Sequence, residues 1–281
     1  MKDKREFRQR FRENRKAKAA QDAQSGPRDR DEEDSGPLLI WGVHAVEAAL
    51  DNPARNVLQL WATDNAALRL QEKIAKRDLQ PERVTPRDLD QRLGADTVHQ
   101  GLLMEVEPLP EMRLADMAET ILARGPLVVL DQVTDPHNVG AILRSAAVFG
   151  SAGLVMTRRH SPPLTGVLAK AASGALELVP VALIQNLARS LEELKSAGVE
   201  LIGLDDASSV LLEDVLLESA RPNRPLALVL GAEGRGLRQL TAESCSRVCR
   251  IATDGQIASL NVSNAAAVAL HLAALSRRRA R

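Results

Sequence analysis

Residues 130–150 read LDQVTDPHNVGAILRSAAVFG, and this stretch decides the fold class. It leaves the end of an apolar run at 127–130, crosses a polar turn from Asp131, and enters a helix over 138–149. Val139, Ile142, Leu143 and Ala146 are spaced three and four apart, which places them on one face of that helix. The same succession of strand, turn and helix recurs toward the C-terminus. Further strands are expected at 154–156, 178–181, 201–204, 226–230 and 248–251. Further helices are expected at 164–172, 187–197, 210–218 and 264 to about 276. Nearly continuous apolar strands alternating with helices predict an α/β domain whose parallel sheet is covered on both faces. In such sheets ligands lie beyond the carboxyl ends of the strands.

Two other strand ends carry unusual residues. LALVLGAEGRGL, 226–237, runs an apolar strand directly into Gly231, with Glu233, Gly234 and Gly236 behind it. Glycines let the main chain approach a ligand closely; a plain tight turn is the simpler account. The order Gly-x-x-Gly-x-Gly is not a dinucleotide fingerprint, and no Walker lysine follows. IATDGQIASLNVSNAAAVALHLAAL, 251–275, sets Ser259, Asn261, Ser263 and Asn264 before an Ala-rich helix. Capping by Ser263 or Asn264 does not account for all four. The helix has so little polar surface that it must be buried nearly all round or packed against another chain. Asn138 reads as a cap or as a site residue, and Arg144, off the apolar stripe, as a solvated or a functional side chain.

Outward from this core the chain changes character. Leu38 to Val106 reads as a small α/β unit, with helices at 42–50 and 65–77, strands at 57–62 and 102–106, and a helix start at Thr85-Pro86. Pro108 to Gly125 reads as a linker holding a helix over 114–124. Residues 1–20 hold nine Lys/Arg against three acidic residues, a local charge of +6, and six acidic residues follow by Asp34. So little of residues 1–37 is apolar that a disordered charged tail is expected, either a phosphate-gripping arm or a solubilising segment.

Composition excludes several classes. Among 281 residues, 37 Lys/Arg balance 37 Asp/Glu, so net charge makes no case for nucleic acid and only local patches can. Three Phe, two Trp and no Tyr exclude an RNA binder that stacks bases on an aromatic sheet. Cys245 and Cys249 provide neither a disulfide framework nor a four-ligand zinc site, and the five histidines show no ligand spacing. No apolar run reaches a membrane span and no signal peptide is visible, so a cytoplasmic protein is expected. Arg158, Arg159, His160, Arg235, Arg238, Arg277–Arg279 and Arg281 are candidate phosphate contacts, each also readable as solvated surface.

Asn138-x-Gly140-x3-Arg144, Gly231-Ala232-Glu233-Gly234-x-Gly236 and Ser259-Leu260-Asn261-Val262-Ser263, in that order, resemble the three motifs of the SpoU branch of the knotted (SPOUT) RNA methyltransferases. GVHAVEAAL, 42–50, and His99-Gln100-Gly101 resemble the ribosomal-protein-like substrate domain of the 23S rRNA guanosine 2′-O-methyltransferases. The resemblance implies four segments: a tail at 1–37, an RNA substrate-binding domain at 38–108, a linker at 109–125, and a methyltransferase domain at 126–281 closed by a deep C-terminal trefoil knot. It implies S-adenosyl-L-methionine as cofactor, a ribose 2′-hydroxyl of rRNA as methyl acceptor, a homodimer formed through the knotted domain, and no metal or membrane. By the same resemblance Arg144 is the catalytic residue, Asn138, Glu233, Ser259 and Asn261 are the polar set around it, and main-chain groups of Gly231, Ile251 and Leu260 hold the cofactor. Two departures stand out: Ile251-Ala252-Thr253 where many relatives have Ile-Pro-Met, and Asn264 in place of a small apolar residue. Competing readings are a tRNA 2′-O-methyltransferase and a non-catalytic knotted rRNA-binding assembly factor.

Overall fold

The computed structural model describes residues 38–164, 166–217, 224–255 and 259–279. The tail expected over 1–37 and the candidate contact Arg281 lie outside the described residues. The N-terminal part is a four-stranded sheet of β1 (Leu38–Trp41), β2 (Val57–Ala62), β3 (Glu82–Arg83) and β4 (Leu102–Val106), in the order β1-β4-β2-β3. Its helices are α1 (Val43–Asp51), α2 (Asp64–Arg69), α3 (Gln71–Lys76) and α4 (Pro86–Leu93). The single helix expected over 65–77 is thus two, broken at Leu70. The Thr85-Pro86 start holds: Thr85 Oγ1 accepts from Asp88 N, and Asp88 Oδ2 accepts from Thr85 N at 2.7 Å, a reciprocal cap.

The C-terminal part is a six-stranded, wholly parallel sheet. Its strands are β5 (Leu127–Asp131), β6 (Gly153–Thr157), β7 (Val181–Ile184), β8 (Glu200–Leu204), β9 (Leu226–Gly231) and β10 (Arg247–Cys249), in the order β10-β8-β9-β5-β6-β7. Period-two alternation sends Val128, Leu130, Leu228 and Leu230 to one face and Leu127, Val129, Ala227 and Val229 to the other. The first face is covered by α6 (Pro136–Phe149), α7 (Gly166–Ala172), α9 (Leu212–Leu217) and α11 (Val262–Arg279), the second by α5 (Leu114–Arg124), α8 (Leu187–Ser196) and the short α10 (Gln239–Ser244). Each fully buried Leu or Val contributes roughly 1.5–3 kcal/mol.

Four sequence expectations shift. The strand expected at 178–181 lies at Val181–Ile184, because Ala175–Glu177 forms a 3₁₀ turn and leaves Leu178 exposed before Pro180. The strand expected at 248–251 ends at Cys249, so Ile251 lies past the sheet. The stretch expected as a linker carries α5 at its predicted bounds, but Met117 and Ile121 are buried among Leu127, Val129 and Val155. The last helix has a buried side (Ala266, Ala269, Leu270, Ala273) and an exposed one where Val268 and His271 lie, so within one chain it is not buried all round.

Candidate active site

β5 is followed in the chain by β6 and β7 on one side, whereas β9 is followed by β10 beyond β8 on the other. The chain therefore leaves the paired carboxyl ends of β5 and β9, where Asp131 stands opposite Gly231, in opposite directions. Such a divergence opens a crevice, the place where open parallel sheets bind ligands. All three unusual segments arrive there.

Asp135, not Asn138, caps α6: its Oδ1 accepts from His137 N at 3.0 Å, and Pro136 occupies the first helical position. This leaves the Asn138 side chain for other work. Its Nδ2 donates to Glu233 Oε1 at 2.9 Å. Asn261 Nδ2 donates to Asn138 Oδ1 at 3.1 Å and also to Glu233 Oε1. Asn261 is at the same time the cap of α11, its Oδ1 accepting from Ser263 N at 2.8 Å and Ser263 Oγ at 2.6 Å. The three motifs are thus tied by one amide–carboxylate–amide cluster, with Asn138 buried and the other two exposed. Glu233 Oε1 is used twice, and Oε2 remains for a further donor.

The glycine loop is held in two ways. Ala232 bridges Gly236, whose N donates to Ala232 O at 2.9 Å. A Cβ on Gly231 would overlap the main chain of Gly236 and Leu237, so only glycine fits. Asp131, fully buried at the end of β5, accepts from Arg238 Nε at 2.7 Å and Arg238 N at 3.1 Å and pins the loop's exit. Sequence marks Asp131 only as the polar end of an apolar strand, and its partner is 107 residues away. Beneath the loop, a Cβ on Gly203 would meet Leu237 at 2.7 Å and Cys245 Sγ at 3.0 Å. Burial pushes the Cys245 thiol up to about 12, and Sγ donates to Thr241 O at 3.2 Å. Both cysteines are packing residues, and burial raises Cys249 as well.

Other candidates part company from this cluster. Arg144 is exposed on α6 and makes no hydrogen bond or ion pair among the described residues. Ser259 is exposed and makes no hydrogen bond among them either. The main-chain groups of Ile251 and Leu260 are likewise unpaired among the described residues, and Leu260 is 40% exposed. The arginines grouped by sequence divide. Arg158 is paired with Glu111 at 2.6 Å, Arg238 with Asp131, and Arg277 donates to Arg124 O, while Arg159, Arg235, Arg278 and Arg279 are exposed. His99 is buried: its Nδ1 accepts from Gly101 N at 3.0 Å, which puts the ring proton on Nε2, 3.1 Å from Asp90 Oδ1. Among the described residues no helix is long and apolar enough to cross a membrane, and no three His, Cys, Asp or Glu side chains group as metal ligands.

Residues 125–271 match the model of the SpoU rRNA Methylase family, and residues 39–112 that of RNA 2′-O ribose methyltransferase substrate binding. The chain is 39% identical over 238 residues to the 23S rRNA (guanosine-2′-O-)-methyltransferase RlmB of a Burkholderia species, covering 83% of this chain and 94% of the relative. It is 36% identical over 240 residues to the protein of that name from Pseudomonas putida, covering 82% and 93%. Its fold is similar to that of the SpoU methyltransferase AviRb from Streptomyces viridochromogenes, solved in complex with the cofactor AdoMet, with a TM-score of 0.71 at 23% identity over 91% of this chain and 96% of that one. The fold is therefore α/β of the SPOUT type, with a substrate-binding part ahead of the parallel sheet. Matched over both parts, this chain belongs to the SpoU rRNA methylase family.

Proposed function

We propose that the chain transfers a methyl group from S-adenosylmethionine to a ribose 2′-hydroxyl of RNA, in a guanosine of 23S rRNA. The observation that carries this reading is the joining of Asn138, Glu233 and Asn261, one from each motif, at the divergence of β5 and β9. The nucleotide assignment rests on the two relatives above, whose activity is the 23S rRNA guanosine methylation their names state.

The residues present fit the cofactor. Gly231 brings bare main chain to a strand end, and Ile251 and Leu260 offer main-chain groups that nothing else among the described residues uses. These three would hold it through the backbone. When bound, the cofactor supplies a methyl group already activated on a sulfonium. The methyl–sulfur bond breaks as the methyl–oxygen bond forms, leaving a thioether, and the hydroxyl proton passes to solvent; what remains for the protein is to align the hydroxyl and stabilise the charge that develops on its oxygen. Arg144 suits the second task. A guanidinium has no acceptor and keeps its proton to above about pH 12, so charge stabilisation and phosphate gripping are natural to it, whereas proton removal is not. Glu233 Oε2 is the acceptor left to orient a ligand donor, and Asn138 and Asn261 hold that carboxylate still.

The working unit in this reading is a homodimer formed through α6 and α11. Val148 on α6 is 72% exposed and Val268 on α11 is 37% exposed, apolar side chains that a single chain leaves wholly or partly open to solvent. Arg144 precedes Val148 by one helical turn and so stands at the rim of that surface. Ala252 lacks the fixed φ that a proline would impose there, and Thr253 puts a short polar side chain where Met would put a long apolar one.

The test is mass spectrometry of ribose-methylated nucleosides from a strain lacking the protein, before and after adding back purified chain with S-adenosylmethionine. Loss and restoration of one 2′-O-methylguanosine in large-subunit rRNA is the expected result. A change confined to tRNA would redirect the substrate, and no change in any RNA would sink the enzyme reading in favour of an assembly factor.

A further inference from the structure

The seam between the two parts of the chain is built from polar partners, with the Arg55 and Glu177 side chains buried, Asn52 and Lys170 half-buried and Gln100 exposed. Arg55, between α1 and β2, donates Nη2 to Glu177 Oε1 at 2.7 Å and Nε to both carboxylate oxygens at 3.2 Å; the side chains are 1% and 3% exposed. Asn52 Nδ2 donates to Glu177 Oε2 at 2.8 Å, and Arg55 Nη1 donates to Glu107 O at 2.7 Å. At the opposite end of α1, Gln100 Oε1 accepts from Val43 N at 3.0 Å and from Lys170 Nζ of α7 at 2.9 Å. Gln100 is at φ 57°, a left-handed conformation supported by the His99 and Gly101 hydrogen bonds, so the His99-Gln100-Gly101 motif is the loop that presents this oxygen. Gly166 and Gly174 leave no space for a Cβ: one at Gly166 would overlap Leu39 O and the Trp41 ring, and one at Gly174 would meet Ala48 Cβ at 2.8 Å. A single apolar cluster runs through both parts.

Domains joined by a linker move relative to one another unless their interface is extensive and apolar. Here it is apolar and also keyed. A buried ion pair is a weak source of net stability, yet any other docking would leave its charges unpaired, so it selects one orientation. The far side of α7 packs on α6, where a Cβ at Gly140 would meet Ala172 N at 2.8 Å, and α6 carries Asn138 and Arg144. A chain of direct packing therefore leads from the N-terminal part to the candidate catalytic helix.

We propose that Arg55, Asn52 and Glu177, with Gln100 and Lys170, are positioning residues that dock the RNA-binding part on its own chain in one orientation and thereby select which nucleotide reaches Arg144. This rests on the RNA methyltransferase reading above. Glu177→Gln tests it in the full chain with three readouts: small-angle scattering, cofactor affinity by calorimetry, and the position and kcat/KM of methylation on a 23S rRNA fragment. The expected result is a larger radius of gyration, unchanged cofactor affinity, kcat/KM lower by about 100-fold, and methyl groups spread to neighbouring riboses. Gln100→Cys and Lys170→Cys, joined by a short bismaleimide in the Glu177→Gln chain, should restore compactness and the single site. If Glu177→Gln does not fold, Gly166→Ala wedges the same seam without burying a charge. Wild-type scattering, site and rate in these variants, or a bridge that restores compactness but not the site, overturns the positioning role alone. A wild-type chain that methylates no RNA takes the proposal down together with the function it rests on.

Discussion

Two places in this molecule join distant segments through carboxylate hydrogen bonds, and they are built on opposite principles. At the seam, Glu177 is buried and both of its oxygens are used by Arg55 and Asn52. At the β5–β9 crevice, Glu233 is exposed, one oxygen serves two amides, and Arg144 and Ser259 stand nearby in sequence motifs without partners among the described residues. A saturated buried pair fixes geometry and has nothing to offer a ligand. An exposed cluster with vacant acceptors and donors adds little to stability and has chemistry to spare. Loss of a seam contact should therefore reach the reaction only through folding and docking, whereas loss of a crevice side chain should reach it directly.

Breaking the seam should produce the largest effect. Arg55→Ala leaves the Glu177 carboxylate buried without its counter-charge, and the expected loss is about 3–5 kcal/mol in urea unfolding. Asn261→Ala, which removes an exposed cap and two amide hydrogen bonds, should cost about 1 kcal/mol in the same titration. Equal losses would erase the distinction. Next in size is the complementary experiment at the crevice. Arg144→Ala should lower methylation by about 10²–10³-fold while melting temperature and cofactor affinity hold, because the side chain is exposed and makes no hydrogen bond or ion pair among the described residues. A matching fall in cofactor affinity would remove Arg144 from its catalytic role.

The difference also explains what the sequence made legible. The crevice was readable because its parts are local: apolar runs that end in Asp131 and Gly231, polar residues directly behind them, and a helix face of Val139, Ile142, Leu143 and Ala146 that is buried as its spacing predicts. What was hidden there depends on long-range choice. Asp135 rather than Asn138 caps α6, and both residues are chemically able to do so. The seam left almost no trace. Arg55 and Glu177 are 122 residues apart, and each alone looks like an ordinary charged residue. Strands β1 and β3 carry no pattern of their own, one being a four-residue run whose Leu39 is exposed and the other an exposed Glu-Arg pair. Strand β7 slipped because the run from Leu176 to Ile184 is apolar at most positions, so periodicity cannot say where the 3₁₀ turn ends.

Gly140 links the two regions and offers a way to sharpen the comparison. A Cβ there would press on Ala171 and Ala172 of α7, so Gly140→Ala should separate α6 from α7 and cost about 1–3 kcal/mol as overpacking. Because α6 carries Asn138, methylation should fall along with stability, which neither Arg55→Ala nor Arg144→Ala does by the same route. An alanine that lowers melting temperature but leaves kcat untouched would show that the crevice does not feel the position of α7.

The smallest effect concerns the floor of the crevice and is read by pH. The Cys245 thiol ionises near its ordinary value of 9.0 in the unfolded chain and is pushed up to about 12 in the folded one, because burial opposes the thiolate. Between these two values the folded state holds the proton more often, so stability is present in full below pH 9 and declines as pH rises toward 12, by at most about 1.4 kcal/mol per pH unit. Burial raises Cys249 in the same direction, so Cys245→Ala should remove part of the alkaline decline and the double alanine variant more of it. Arg55→Ala, acting at the seam, should lower the whole stability–pH curve and leave its alkaline slope in place. If the slope instead disappears with Arg55 and survives loss of the cysteines, the seam and not the crevice floor is the alkali-sensitive element. The separation of a fixed, saturated seam from an open, titratable crevice would then be wrong.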